Sequence, residues 1–336
     1  MSQTEITIIA GLFFSDEGKG RVVNDIIEQN KNQYDIVMRV NGSWSSNHQI
    51  DKGYHIKCNH LPSTLDKNIT LIIGAGMCVK PNVLLEEIQQ QERQNQKIYV
   101  SEDCPVIDAN ETVVNNELGT TGSGIRKTYI DRLNHVGKVL KDVVELYPEL
   151  KKYLINDDKY FELTANKKII VEGSHGYLID KDFGEYPYTT SANTTPSMIM
   201  GLTKYDSSVH KRTIFVSGLM TISAGKHPIQ KTFEQYNLKH LIDIIPENIK
   251  YDKSCNHDRI RNFGAFDFDL ANKILRFYPS CGVIFNFFDL IQKMGKFYYI
   301  ENEQIYNIEI IDKKTLAKFI STKLNRNIFL NDSPFA

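Results

Sequence analysis

Short runs of β-branched and aliphatic residues alternate along this chain with longer stretches whose apolar positions recur at helical spacing. The apolar runs cover residues 6–10 (ITIIA), 34–40 (YDIVMRV), 71–73, 168–171, 213–217 and 283–288. Runs this short and this rich in Ile and Val predict strands buried on both faces. Between the first two, Val22, Val23, Ile26 and Ile27 fall on one side of a 3.6-residue repeat and predict a helix over 21–29. Further helices are predicted over 80–91, with Pro81 in the first turn, and over 124–146, stopping before Pro148. The same spacing predicts helices over 238–244, 268–277 and 313–324. Strands alternating with helices predict an α/β protein with a mainly parallel central sheet flanked by helices. No repeat, low-complexity tract or linker interrupts the pattern, so residues 1–336 read as a single domain with long inserted loops. Ligands bind such sheets at the carboxyl ends of the strands.

Composition narrows the partners. With 41% hydrophobic and 24% charged residues the chain is an ordinary globular protein. A formal net charge of -1 gives no electrostatic reason for nucleic acid or a membrane surface as partner. Five cysteines without CxxC spacing point away from a disulfide framework or a zinc site, and towards a reducing cytoplasm. The first residues lack the basic and apolar regions of a signal peptide, and no apolar run approaches the roughly 20 residues that span a bilayer.

The chemistry concentrates in the loops. Residues 11–20 (GLFFSDEGKG) join the first strand to the first helix. They lack the Ser or Thr that follows the lysine of a GxxxxGK[ST] phosphate loop. They still offer backbone N–H groups, Lys19 at a helix N-terminus, and the carboxylates of Asp16 and Glu17, a set able to hold phosphates and a magnesium ion. The plainer alternative is a surface turn whose acids favour the positive end of the helix.

Residues 15–20 (SDEGKG) resemble the GDEGKG signature of adenylosuccinate synthetases, and further segments follow in that family's order. Residues 39–48 (RVNGSWSSNH) resemble its R-x-x-G-G-x-N-A-G-H loop, followed by 60–63 (HLPS) and 73–76 (IGAG). Residues 119–124 (GTTGSG) resemble GTTG[RS]G, 172–176 (EGSHG) resemble EGAQG, and 186–195 (YPYTTSANTT) resemble YPYVTSxNTT. Arg259 and Arg261 precede 264–267 (GAFD), where the family has an arginine-rich loop and GW[FL]D; Ser321-Thr322 and residues 332–335 echo its C-terminal STGP and DPF.

The resemblance implies a P-loop-NTPase-like fold and a ligase that condenses L-aspartate with the 6-oxo position of a purine nucleoside monophosphate, IMP, driven by GTP hydrolysis. It makes Asp16 the base and, with Asn47, a ligand of Mg2+, and His48 the acid that stabilises phosphate charge. Ser45, Thr121, His135, His175, Thr190 and Arg261 would hold the monophosphate, and Arg259 and Arg261 the aspartate. Glu17, Gly18, Lys19 and Gly20 would face the triphosphate, with Asp289, ending a strand, and Ser321 at its base. A carboxylate accepts from two guanine donors but meets one donor and one acceptor on adenine, so Asp289 favours GTP over ATP. The family's members are cytoplasmic homodimers.

The chain departs from the family pattern at several of these positions. Ser45 stands for an asparagine, Asn47 for a glycine, His175 for a glutamine that reads the purine, and His135 for an arginine donated across the dimer. Phe287 and Lys323 replace a lysine and a glycine near the triphosphate base, and Trp44 adds bulk beside the purine. Two other readings therefore stand. A viral branch of the family uses dGMP and ATP to make N6-succino-2-amino-2'-deoxyadenylate; the short chain, residues 195–196 (TP), 227–229 (HPI) and 284–287 (IFNF) lean that way, and the retained Asp16 leans against it. A catalytically degenerate nucleotide-binding homologue would explain the altered loops, while Asp16, Lys19 and His48 argue for turnover.

Overall fold

The computed structural model describes residues 3–44, 48–51, 55–90, 93, 95–108, 122–224, 232–252, 259–310 and 312–332; of 48–51, 55–56, 252 and 259 it describes the backbone alone. Its strands are β1 (Glu5–Gly11), β2 (Ile36–Arg39), β3 (His48–Asp51), β4 (His55–Cys58), β5 (Thr70–Ile73), β6 (Lys97–Ser101), β7 (Leu154–Ile155), β8 (Lys168–Gly176), β9 (His210–Gly218), β10 (Thr221–Ala224), β11 (Tyr251–Asp252), β12 (Arg259–Gly264), β13 (Phe266–Asp267), β14 (Gly282–Asn286), β15 (Lys296–Glu301), β16 (Gln304–Glu309) and β17 (Ile328–Leu330). The helices are α1 (Lys19–Gln29), α2 (Pro81–Gln89), α3 (Ile125–Leu133), α4 (Leu140–Val143), α5 (Asp157–Thr164), α6 (Pro196–Leu202), α7 (His240–Ile244), α8 (Glu247–Lys250), α9 (Phe268–Leu275), α10 (Phe288–Met294) and α11 (Lys313–Leu324).

Nine strands form one sheet in the order β17-β14-β9-β1-β8-β2-β5-β6-β7, and every pairing in it is parallel. The two-residue period of a strand divides its side chains between two cores. Ile6, Ile8 and Ala10 of β1 pack with Met38, Val171, Phe215 and Phe285 on one face. Ile9 packs with Val22, Val23, Val37, Ile170 and Val216 on the other. A strand buried on both faces has no room for alternation, which is why its sequence is a continuous apolar run.

Local signals set most helix boundaries. Pro81 opens α2, where its missing N–H has no helical acceptor to lose. Asp267 caps α9 by accepting from the Leu270 N–H at 2.8 Å, and Asp312 caps α11 by accepting from the Thr315 N–H at 2.8 Å.

Two expected elements differ. The helix expected over 124–146 stops at Leu133. His135 turns left-handed (φ 59°), and the N–H groups of Val136 and Gly137 both close on the Asp131 carbonyl at 3.0 Å. The Lys138 carbonyl then accepts from Val106 N–H at 2.9 Å, which draws the chain aside before α4 begins. The strand expected over 283–288 ends at Asn286, because Phe287 is left-handed (φ 73°) and starts α10. Asp289 consequently lies in the first turn of a helix and does not end a strand.

Candidate active site

β1, β8 and β14 lie within four consecutive strands of the sheet, and a non-glycine residue in the left-handed region stands at or just beyond the carboxyl end of each: Asp16 (φ 58°) in the loop after β1, His175 (φ 63°) near the end of β8 and Phe287 (φ 73°) directly after β14. Each such residue costs about 1–2 kcal/mol and persists where surrounding contacts hold it, a pattern concentrated at functional sites.

The loop after β1 folds over its own strand. Glu17 is buried, and its Oε1 accepts from the Phe13 N–H at 2.7 Å. The room for its other oxygen exists because residue 11 is glycine: a Cβ there would come within 2.1 Å of Glu17 Oε2 and 2.5 Å of the His175 carbonyl. Asn286, at the end of β14, donates to the Glu17 carbonyl at 2.6 Å and pins the loop from the other side. Gly18 (φ 80°) then supplies the turn that starts α1. Lys19 is buried too, with Nζ 3.7 Å from Glu17 Oε2. Burial, opposed by the Lys19 ammonium, pushes the Glu17 carboxyl up to about 7. Lys19, Gly20 and their neighbours contribute the first-turn N–H groups of α1, which have no acceptor within a helix and face an anion readily.

Asp16 points the other way. Its Oδ2 accepts from Arg261 Nε at 2.8 Å, and Arg261 Nη1 donates to the carbonyls of Ile249 and Tyr251, both at 2.9 Å. Arg261 stands on β12 of the three-stranded sheet β10-β12-β11, so this smaller sheet carries a guanidinium to the rim of the β1 loop.

A second loop rises from β8. Asp180, fully buried, accepts from the N–H groups of Asp182 (2.9 Å) and Phe183 (3.1 Å) through Oδ1, and of Thr194 and Thr195 (2.9 Å) through Oδ2. One carboxylate thus ties both ends of residues 182–195, which include the cis Tyr186–Pro187 bond and Thr190. The Thr190 N–H donates to the Ile179 carbonyl at 2.8 Å. Asn41 connects this loop to β2: its Nδ2 donates to the Asn193 carbonyl at 2.8 Å and its Oδ1 accepts from the Ser174 N–H at 3.0 Å. Beneath, buried Arg39 donates to Ser174 Oγ at 2.9 Å and to the Asn59 carbonyl at 2.8 Å.

The expected site residues divide accordingly. Asp16, Glu17, Gly18, Lys19, Gly20, His175 and Arg261 meet around the β1 loop, with Thr190 on the neighbouring loop. Asp289 lies beside the end of β17, where the Phe288 N–H donates to the Asn331 carbonyl at 2.9 Å and Lys313 pairs with Asp332 at 3.3 Å. Ser321 does not join it. Ser321 Oγ donates to the Arg326 carbonyl at 2.6 Å, and the next residue, Asn327, accepts from Val283 at the start of β14. This is the amino end of the strands, because α11 runs back across the sheet, and the residues beside Asp289 are Asn331 and Asp332 instead. Lys323 is likewise turned to Glu301, at 2.6 Å. His135 sits at the exposed break after α3. His48 opens β3, pairing with Cys58, and Arg259 opens β12; their side chains, like the whole of Ser45, Asn47 and Thr121, lie outside the described residues. Sequence reasoning passed over Asn286 and Asp180. An asparagine in the apolar run FNFF was the available signal for the first.

A parallel sheet with a lysine at a helix N-terminus, two acids and an arginine gathered at its carboxyl edge defines a nucleotide-binding α/β enzyme. A family model described as adenylosuccinate synthetase matches residues 8–152 and 134–300. The chain belongs to the adenylosuccinate synthetase family, ligases that form a C–N bond. It is similar to the adenylosuccinate synthetase of Methanocaldococcus jannaschii, 29% identical over 290 residues, which cover 80% of this chain and 78% of that one. The enzyme of Archaeoglobus fulgidus is 30% identical over 249 residues, covering 68% of this chain and 70% of the relative. Among solved structures, the fully ligated adenylosuccinate synthetase of Plasmodium falciparum superposes with a TM-score of 0.83 at 17% identity, covering 98% of each chain. The succinoaminodeoxyadenylate synthetase of cyanophage S-2L, bound to dGMP and dATP, superposes at 0.71 with 15% identity, covering 96% of this chain and 99% of its own. These two likenesses speak to the fold alone.

Proposed function

We propose that the protein condenses L-aspartate with IMP at the expense of GTP, giving adenylosuccinate, GDP and phosphate. The observation that carries this reading is the loop after β1, where Asp16 and Lys19 share one strand end with opposite tasks. Lys19 and the head of α1 attract the phosphates of the triphosphate. Asp16 takes the proton from purine N1, and the resulting 6-oxyanion attacks the γ-phosphorus, releasing the nucleoside diphosphate. The amine of aspartate then displaces the 6-phosphate. Positioning and charge neutralisation account for most of the rate in such phosphoryl transfers. His48 is the donor that stabilises the transferred phosphoryl group.

The Arg261–Asp16 contact at 2.8 Å orients the base and, once the base faces the purine, lets Arg261 turn to the aspartate carboxylates beside Arg259. Ser45, Thr121, His135, His175 and Thr190 are assigned to the monophosphate. Asp289, in the first turn of α10, reads the guanine of GTP.

A magnesium ion fits this donor set. Asp16 offers a hard carboxylate at the rim of the loop, whereas Glu17 is turned inward on Phe13 N. Magnesium is commonly held by one or two protein oxygens together with substrate phosphates. Asp16 and Asn47 would hold it, and when bound it would neutralise charge on the phosphate oxygens.

We read residues 1–336 as one catalytic unit and as a homodimer in the cytoplasm. The exposed apolar side chains Ile130, Leu133 and Val136 flank His135 and give a partner subunit a surface to cover. The described cysteines are unbridged and buried, and no helix of the described residues is long and apolar enough to cross a membrane.

The rival acceptor is dGMP with ATP as donor, favoured by the buried Phe287 at the turn before Asp289. Turnover with IMP, GMP and dGMP, each with GTP and ATP, separates the readings. Adenylosuccinate from IMP and GTP supports the first, succinylated product from dGMP and ATP the second. Phosphate release independent of aspartate, with no succinylated product from any pairing, removes both.

A further inference from the structure

Trp44 is the chain's one tryptophan, and it stands where three loops meet at the carboxyl edge of the sheet. The loop that follows β2 carries it. Its indole Nε1 donates to the Ser123 carbonyl at 3.2 Å, one residue before Gly124 caps α3. One ring face lies under the Lys80 ammonium, 4.9 Å from the ring centroid, at the head of α2. The ring packs against the buried cluster of Cys78, Ile107 and Ile125, which Tyr129 also borders.

Independent bonds already fix the backbones on two sides of this junction. The Cys78 N–H donates to the Gly42 carbonyl at 3.0 Å, and the Ile107 N–H donates to the Val79 carbonyl at 2.8 Å. Tyr129 of α3 donates to the Gly76 carbonyl at 3.1 Å. Between the segment at Ser123 and the segment at Trp44, the indole N–H supplies the link. An indole has one donor and no acceptor, so it must find a carbonyl when its ring is partly buried, and a carbonyl of the α3 turn is what it finds. The ring cannot shift towards Lys80 without losing its stack on the cation.

We infer that Trp44 is a positioning residue for the monophosphate site, a latch that holds the turn before α3 against the loop after β2. This rests on the assignment of Ser45 and Thr121, on the two latched segments, to the monophosphate. Trp44 touches no reacting atom in this account. Its effect is to set the separation of two segments that must grip one ligand, so it acts on the monophosphate and not on the triphosphate, whose lysine pairs with Glu17 on a loop pinned by Asn286 elsewhere on the sheet edge. Being the sole tryptophan, it also makes the emission of the native protein a reporter of this junction.

The test uses the full chain in two ways. Titration of wild-type protein with IMP, and separately with dGMP, is followed by tryptophan emission and by calorimetry; GTP alone is the control. Trp44→Phe keeps an aromatic face for the apolar packing and the cation but deletes the donor together with the pyrrole part of the ring. The emission is expected to change saturably with the Kd that calorimetry gives for the monophosphate, and to stay flat with GTP alone. Trp44→Phe is expected to raise the monophosphate KM about three- to tenfold, the range for loss of one neutral hydrogen bond, with kcat and the GTP KM within about twofold. Flat emission while calorimetry records monophosphate binding overturns the inference and leaves the proposed function standing, as does a Trp44→Phe enzyme with wild-type KM. A variant whose thermal midpoint falls while every constant worsens together shows mere structural damage and also overturns it. Absence of binding by either monophosphate in calorimetry overturns the inference together with the reading on which it rests.

Discussion

Two buried carboxylates stand at neighbouring strand ends and are treated in opposite ways. Asp180, after β8, receives four backbone N–H groups and is saturated by the loop it organises. Glu17, after β1, receives Phe13 N–H on one oxygen and has the Lys19 ammonium 3.7 Å from the other. Asp180 has no vacancy for a ligand: its charge is spent on shape. Burial pushes Glu17 up to about 7, and its cationic neighbour Lys19 is the group proposed to meet a phosphate. Under the proposed function, the β8 loop keeps its shape while the β1 loop exchanges partners when nucleotide binds. Arg261 on Asp16 repeats the pairing of an acid with a cation at the preceding residue.

The largest effect that sharpens this contrast is on turnover. Asp16→Asn removes the proposed base and should lower kcat by about 10²–10⁴ while leaving nucleotide binding within about tenfold. A variant with near wild-type kcat would take Asp16 out of the chemistry. Asp180→Ala comes next, on stability. It leaves four N–H groups without their acceptor, those of Thr194 and Thr195 buried, and should destabilise the protein by about 2 kcal/mol or more, read from urea unfolding. A loss below about 1 kcal/mol would show that the loop holds its shape without the carboxylate.

The pH dependence of Glu17 is a smaller effect with a definite sign. Its folded-state value near 7 lies above the ordinary 4.5, so the native state binds a proton that the unfolded chain releases. The stability contributed by this group is fully present below 4.5, falls as pH rises through the window to about 7, and is flat beyond it. Wild type should lose about 3 kcal/mol across that window relative to Glu17→Gln, in which the titration is gone. Parallel stability curves for the two proteins would refute the assignment. Smallest is the base preference: GTP should exceed ATP in kcat/KM by at least about tenfold, and Asp289→Asn should erode that ratio more than it lowers kcat. A preference for ATP, or one indifferent to this change, would shift the reading towards dGMP as acceptor.

Where the sequence spoke plainly, one local cause dominated. The helix at 313–324 matches α11 to the residue, because Asp312 caps its start and Asn325, left-handed at φ 49°, ends it. The β1 loop was legible as a strand-to-helix turn because strand, glycines and helix are contiguous. What escaped was set by contacts distant in sequence. The break after Leu133 arises from the pairing of 138 with 106, which no periodicity within 124–146 contains. The β15–β16 hairpin turns on Asn302 and Glu303, both left-handed without a glycine, because Asp269 accepts both of their N–H groups, at 3.1 and 2.9 Å. Ser321 was placed beside Asp289 on a short echo of a motif, and the direction in which α11 recrosses the sheet put it at the other end. Asp180 drew no notice because four backbone donors leave no mark in a sequence.

The central claim is tested most directly by following inorganic phosphate and the nucleotide product together, with IMP, GTP and magnesium present and L-aspartate added last. The account predicts phosphate release that depends on aspartate, matched mole for mole by adenylosuccinate, and abolished in Asp16→Asn. Phosphate released at the same rate without aspartate, or aspartate consumed with no succinylated nucleotide formed, would contradict it.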